Sequence, residues 1–429
     1  MRNFLKTGII LFLALVTVMP AFSQDGESDF VYRRSSLYPI LLETDPVFKD
    51  PADADLNTIV MGAYGKAPFP DKYNDHRLEW VSFKFNDYIT LSAAEAKELA
   101  EDDGKEKGRK KDQKYMQASE KFLADKDVAR GMVAKWFNRQ EDGTFDMSLI
   151  HERGAYNAST LEVELASGSK RGMAMLKDAG EELIKNSFVV VNRMRFVKNE
   201  PIARATRDIA YIAANQIKND LAQMAAKTAA DILYNSTKDG YSVWTVSYLY
   251  QLEWNDEIAN NFYMNMWMDK NSISEERKNL FETTDIFKLN FVGFEKSKSL
   301  VLFSVGKSKE MILTQATVRN IDRTYVKLQK SFDVFKTKTP IISEDPLLAP
   351  VGMKDGVKKG TKFDVVEMIW DEKEGVTTYK TVGKVKAKQV WDNRYTLGEE
   401  DTKAEEDGTV KGTIFKGKAK RGMLLVQRK

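Results

Sequence analysis

The chain has 429 residues, 42% of them hydrophobic, 30% charged and 11% aromatic, with a formal net charge of +3. That is globular composition with material for two or three domains, and it excludes a disordered, collagen-like or polytopic membrane chain. The absence of cysteine and the presence of only two histidines, His76 and His151, exclude disulfides, thiolate nucleophiles and a three-histidine zinc site.

Arg2 and Lys6 precede an apolar run from Thr7 to Met19, and Pro20-Ala21-Phe22-Ser23 closes it with a small-residue cleavage pattern. Residues 1–23 therefore read as a secretory signal peptide, too short and wrongly flanked for a membrane anchor. Without them 64 Lys+Arg stand against 63 Asp+Glu, a net charge of +1. Such a balance gives no electrostatic case for nucleic acid. No later segment reaches the ~18 apolar residues of a spanning helix.

Residues 24–36 read as an irregular lead-in, and Ser36 to Leu42 opens the first apolar element. The stretch 67–76 is loop chemistry, since Pro68 and Pro70 fix φ and remove donors. A strand is expected near 78–85. Between Lys97 and Lys114, 13 of 18 residues are charged, which predicts a solvated loop. Helical spacing returns at Val128–Phe137, and a second helix is expected over 169–185. It feeds Ser187–Asn192, an apolar run whose continuity predicts burial on both faces. The segment 202–234 reads as a long helix or a broken pair.

Residues 241–268 predict a hairpin turning at Asn255-Asp256. Trp244, Val246, Tyr248, Tyr250, Leu252 and Trp254 lie two apart and share one face. That face is expected to be dry and packed on helix 202–234. A further strand pair is expected at 287–295 and 300–304, then a helix from Ser308 to about Ser331. This mixture predicts an α+β fold, an α/β-type body with a mixed sheet spanning 24–345. Whether 24–150 form a separate domain stays open. After Thr339-Pro340 only short strand candidates follow, at 362–370, 377–386, 388–395 and 411–427, which marks a small all-β sandwich or barrel over 346–429.

The tail contains Pro350-Val351-Gly352-Met353-Lys354-Asp355-Gly356-Val357-Lys358-Lys359-Gly360-Thr361-Lys362-Phe363-Asp364-Val365, a glycine- and lysine-rich turn leading into a strand. With Val382–Ala387 and the late Gly417–Gly422 turn before Met423-Leu424-Leu425-Val426, it resembles the SH3-like C-terminal domain of flagellar-assembly protein T. The middle, around Ser187–Asn192 and Phe335–Pro340, is similar to the α/β domain of curli-secretion proteins. The whole chain resembles a family of secreted proteins of Bacteroidetes, notably in Arg34–Tyr38 and Asp178–Ile184. The tail resemblance implies a barrel over roughly a fifth of the chain, and none of these families brings catalytic residues with it.

No phosphate-cradling glycine loop, G-x-S-x-G elbow, H-E-x-x-H or EF-hand loop is present. Asp75-His76 is the best acid/base candidate, because a carboxylate can orient an imidazole, but no nucleophile accompanies it. His151 with Glu152 reads as another loop pair. The acidic stretch Glu399–Asp407 lacks calcium-loop spacing. No catalytic, metal or cofactor residues are assigned. The expectation is a non-enzymatic exported envelope protein, periplasmic, at the outer-membrane periphery or secreted, acting as an assembly or interaction component. Its partners would be envelope proteins or a second copy. Two alternatives stand beside it: a glycan- or peptidoglycan-binding protein using Trp244, Tyr248, Tyr250 and Trp254, and a hydrolase using Asp75 and His76.

Overall fold

The computed structural model describes residue 33 and residues 35–44, 54–95, 109–155, 182–302, 308–371, 376–395 and 411–428. The expected signal peptide, the charged run up to residue 108, most of the helix expected at 169–185 and the acidic stretch 399–407 lie outside them.

Apolar runs such as residues 37–42 and 188–191 build the first sheet. β1 (Ser36–Glu43) lies parallel to β2 (Asn74–Asp75), β3 (Ser82–Lys84) and β4 (Ser187–Lys198). β5 (Gly240–Leu252) and β6 (Leu289–Leu302) then add antiparallel on the far side of β4. The order is β2-β1-β4-β5-β6, with β3 also on β1, and the sheet is mixed as expected. Successive side chains point to opposite faces, so the long strands feed two cores. Tyr38, Ile40 and Leu42 of β1 join Val189, Val191 and Tyr248 against α2 (Arg109–Asp125) and α3 (Val128–Trp136). Leu37 and Leu41 join Phe188, Val190 and Leu249 against α1 (Ala54–Gly65) and α9 (Lys309–Ser331). Further helices among the described residues are α4 (Ser148–Ala155), α5 (Asn199–Ala214), α6 (Asp220–Thr237), α7 (Asp256–Asn261) and α8 (Glu275–Thr283).

The second sheet is antiparallel throughout and comprises β7 (Lys338–Pro340), β8 (Ser343–Glu344), β9 (Leu347–Ala349), β10 (Lys362–Asp371), β11 (Val376–Gln389), β12 (Thr413–Lys416) and β13 (Leu424–Gln427). Its order is β7-β13-β10-β11-β12-β9-β8. Register shifts between Val365 and Val366, and between Ala387 and Gln389, sharpen the twist and curl the sheet. Phe363, Val365, Val385, Phe415 and Leu425 fill its interior. The sheet starts at Lys338, upstream of residue 346, because β7 pairs with the last strand, β13. It docks on the body where Lys72 meets Asp355 at 2.7 Å and Arg319 donates to the Tyr395 carbonyl at 2.8 Å. Gly356 has φ +73°, and a Cβ there would lie 2.5 Å from Val326 Cγ1, so the docked turn accepts only glycine.

Four expectations need correction. Segment 241–268 is not a hairpin: Asn255 caps α7 by accepting from the Ile258 amide at 3.0 Å, and Phe262–Met266 continue as a π-helical turn. An Asn-Asp pair serves a turn or a helix start equally, and the cap prevails. The strands expected at 287–295 and 300–304 are one strand, β6. Its polar middle stays in register because Ser297 turns inward onto Asn320, 3.0 Å away, and Thr324. The strand candidates 377–386 and 388–395 likewise merge into β11, which ends at Gln389. The charged stretch expected as a loop is helical from Arg109, with Asp112 wholly buried.

Candidate interaction surface

β4 and β5 are antiparallel neighbours whose pairing runs to Lys198 opposite Tyr241. A two-residue turn would join such strands, yet residues 199–240 intervene as the α5–α6 helical hairpin. Its base is firmly built. Asn199 is buried, donates to the Val301 carbonyl at 3.3 Å and accepts from Ser242 Oγ at 2.9 Å. Gly240, at φ +135°, returns the chain to β5 where a Cβ would sit only 2.0 Å from the Val301 oxygen. At the far end Asn219 caps α6 by accepting from the Ala222 amide at 2.9 Å.

The two helices hold each other with small and polar side chains. Ala203, Ala214 and Ala230 are buried. Tyr211 donates to Asp231 at 2.6 Å, Tyr234 donates to Glu200 at 3.0 Å, and the Arg207 guanidinium lies 4.6 Å from the Tyr234 ring centre. The large apolar residues do the opposite. Ile209 is 68% exposed, Leu221 80%, Met224 67% and Ile232 65%, and Ile202, Ile212 and Leu233 are also exposed. Burying each of these would contribute about 1.5–3 kcal/mol, so a hairpin serving only its own fold would place them inside and the alanines outside. This concentration is what marks an interaction surface on a folded protein.

The residues singled out from the sequence lie elsewhere. Tyr248, Tyr250 and Trp254 are buried, and Trp244 is half-buried with Lys298 Nζ 4.4 Å from its ring centre. The dry face of β5 packs on α2, α3 and the α7 region, as Trp254 against Phe137 and Phe262 illustrates, and not on helix 202–234. A period of two identifies a buried face but not what covers it.

His76 is wholly buried and stacks on Trp136 with ring centres 4.9 Å apart. Its Nε2–H donates to the Met132 carbonyl at 2.9 Å, which leaves Nδ1 to accept from Arg153 at the same distance. Burial, reinforced by the Arg153 charge, drives its pKa well below the usual imidazole range. Asp75 points away: burial works against its charge, but bidentate pairing with Arg77 holds its carboxyl below the usual range. The pair is not an acid/base dyad, and His76 is a core imidazole. His151 is exposed on α4 rather than in a loop, whereas Arg153 is buried, spanning Ser36, His76 and the Asp75 carbonyl.

A buried charged cluster was not visible in the sequence. Asp112 accepts from Tyr248 at 3.0 Å and Arg193 at 3.3 Å, while Lys296 Nζ approaches its other oxygen at 2.5 Å. Arg193 also lies 3.8 Å from the Tyr115 ring centre. The cluster ties α2 to β4, β5 and β6, with two cations compensating one enclosed carboxylate. Among the described residues no group of three or more His, Asp or Glu side chains is arranged to hold a metal ion. No helix among them is long and apolar enough to cross a membrane. No family model matches this chain, and no curated protein matches it.

Proposed function

We propose that this protein is a non-enzymatic exported component of the cell envelope, which assembles with protein partners, a second copy of itself included, through the α5–α6 hairpin. The observation that carries the reading is the inverted packing of that hairpin, alanine buried and isoleucine, leucine and methionine in water. The export part rests on the basic, apolar and small-residue pattern of residues 1–23. We read the curled second sheet as an SH3-like barrel in keeping with the tail motif, a docking module on the body rather than a site of chemistry.

The alternatives have less behind them. Stacking of sugar rings needs exposed aromatics, and Tyr248, Tyr250 and Trp254 are enclosed. Hydrolysis by Asp75 and His76 needs an imidazole that substrate can reach, and both ring nitrogens of His76 are committed to Met132 and Arg153. The test is cross-linking in envelope extracts followed by affinity capture of the wild type and of Ile209→Glu/Ile212→Glu. A discrete set of proteins captured by the wild type and lost by the variant supports the reading. Retention of both chains on cell-wall polysaccharide would transfer support to glycan binding.

A further inference from the structure

We infer that the occupant of the outer face of the hairpin is a second copy of this chain, packed antiparallel along α5. The inference rests on the hairpin being an interaction surface and adds which partner it takes. Spacing is the first argument. Ile202, Ala205, Ile209 and Ile212 follow one another at three, four and three residues, the repeat of a helix–helix seam, and all four are exposed. Ala203 and Ala214, on the other side of the helix, are the buried ones. About a two-fold axis crossing the outer face at the level of residue 207 the seam closes on itself, Ile202 opposite Ile212 of the second copy and Ala205 opposite Ile209 of the second copy. Large then meets small at the inner layers, as interdigitated packing requires, and the contact is isologous.

Charge is the second argument. The hairpin carries Arg204, Arg207, Lys218, Lys227 and Lys238 against Glu200, Asp208, Asp220, Asp231 and Asp239. Several of these are already satisfied at home: Arg204 pairs with Glu200 at 2.5 Å and Arg207 with Asp208 at 3.3 Å. A balanced surface offers no attraction to an anionic bilayer, which needs a basic excess, and none to a strongly charged polypeptide. An equally neutral copy meets it without repulsion. Length agrees. α5 is ~24 Å long, so the whole seam from Ile202 to Ile212 can lie against that of the second copy.

The chain contains no cysteine, so introduced thiols report without background. Full-length Ala205→Cys/Ile209→Cys, oxidised gently, should run as a disulfide-linked dimer on non-reducing gels. Light scattering should give the wild type twice the monomer mass, and Ile209→Glu/Ile212→Glu should dissociate at least about tenfold more readily. At concentrations low enough to keep every chain monomeric, the circular dichroism and melting temperature of these variants should match the wild type, since the substituted side chains face water in the single chain. A wild type that stays monomeric at high concentration, with no linked dimer from the double cysteine chain, overturns the inference. In that case capture from extracts separates the two claims. Loss of captured protein by the glutamate variant leaves the hairpin as a surface for another protein, and unchanged capture removes the surface as well.

Discussion

β5 and the α5–α6 hairpin adjoin in the chain and are both dense in large apolar side chains, yet water treats them oppositely. β5 is covered on both faces: Tyr248, Tyr250 and Leu252 by the α2–α3 layer, Tyr241, Val243 and Leu249 by the layer that holds α9. The hairpin buries alanines and leaves Ile209, Leu221, Met224 and Ile232 exposed. Local pattern reports that a segment has an apolar side. Whether the chain itself covers that side is decided by elements distant in sequence, and that is where these two regions part.

The largest test falls on β5. Tyr248→Ala and Trp254→Ala should each lower unfolding free energy by about 3–5 kcal/mol, the scale for deleting a large buried aromatic. Tyr248 carries an added penalty, because its hydroxyl donates to the enclosed Asp112 carboxylate. Urea denaturation monitored by fluorescence measures this. Variants that kept the wild-type midpoint would mean that β5 is not core, and the contrast with the hairpin would collapse.

The same logic sorts what was legible in the sequence. β1, β4 and α9 follow from local pattern alone, because a continuous apolar run or a 3.6-residue repeat also matches their burial. The mixed sheet follows from their alternation. The site is another matter. Segment 202–234 presents two apolar sides, one of alanine and one of larger residues, and periodicity does not say which faces inward. His76 looked chemical because Asp75 adjoins it, but its partners come from Met132 and Arg153, 56 and 77 residues away in sequence. The Asp112 cluster draws on four elements and leaves no local trace.

A smaller effect is expected where the hairpin is anchored. Gly240→Ala puts a Cβ against the Val301 carbonyl at a backbone angle that side chains rarely adopt. Strain of that kind costs about 1–3 kcal/mol. Hydrogen exchange should then show faster opening at the base of α6 and the start of β5, with the amides of β10 and β11 unchanged. Uniform acceleration across both sheets would show that the hairpin base is part of the global core.

The junction of the two sheets supplies a pH test. Burial, with the charges of Asp355 and Asp71 added, pushes the Asp322 carboxyl up to about 7 against the pull of Lys354 and Arg319. Between its ordinary value near 3.8 and about 7, the folded chain holds a proton that the unfolded chain has released. This group therefore makes stability fall as pH rises through that window and levels off above it. Asp322→Asn should remove that component, so its advantage over the wild type should grow from pH 4 to 7 in parallel urea titrations. An advantage independent of pH would place the Asp322 proton elsewhere.

The smallest expected effect is the most telling for the comparison. Ile209→Ser and Leu221→Ser remove side chains as apolar as those of β5, but from positions that are 68% and 80% exposed. Substitutions away from packed features stay within about ±0.5 kcal/mol, and serine loses only a few tenths of a kcal/mol of helix propensity in an exposed helix. Measured on monomeric protein at low concentration, both variants should therefore unfold with the wild type. At high concentration the wild type should gain stability through self-association, by mass action on the folded state, and Ile209→Ser, which strikes the α5 seam, should not. Concentration thus separates the two kinds of apolar residue: loss at Tyr248 is felt at every dilution, and loss at Ile209 only where two hairpins can meet. Equal destabilisation by Ile209→Ser at all concentrations would place that side chain in the fold of a single chain and return the hairpin to the same class as β5.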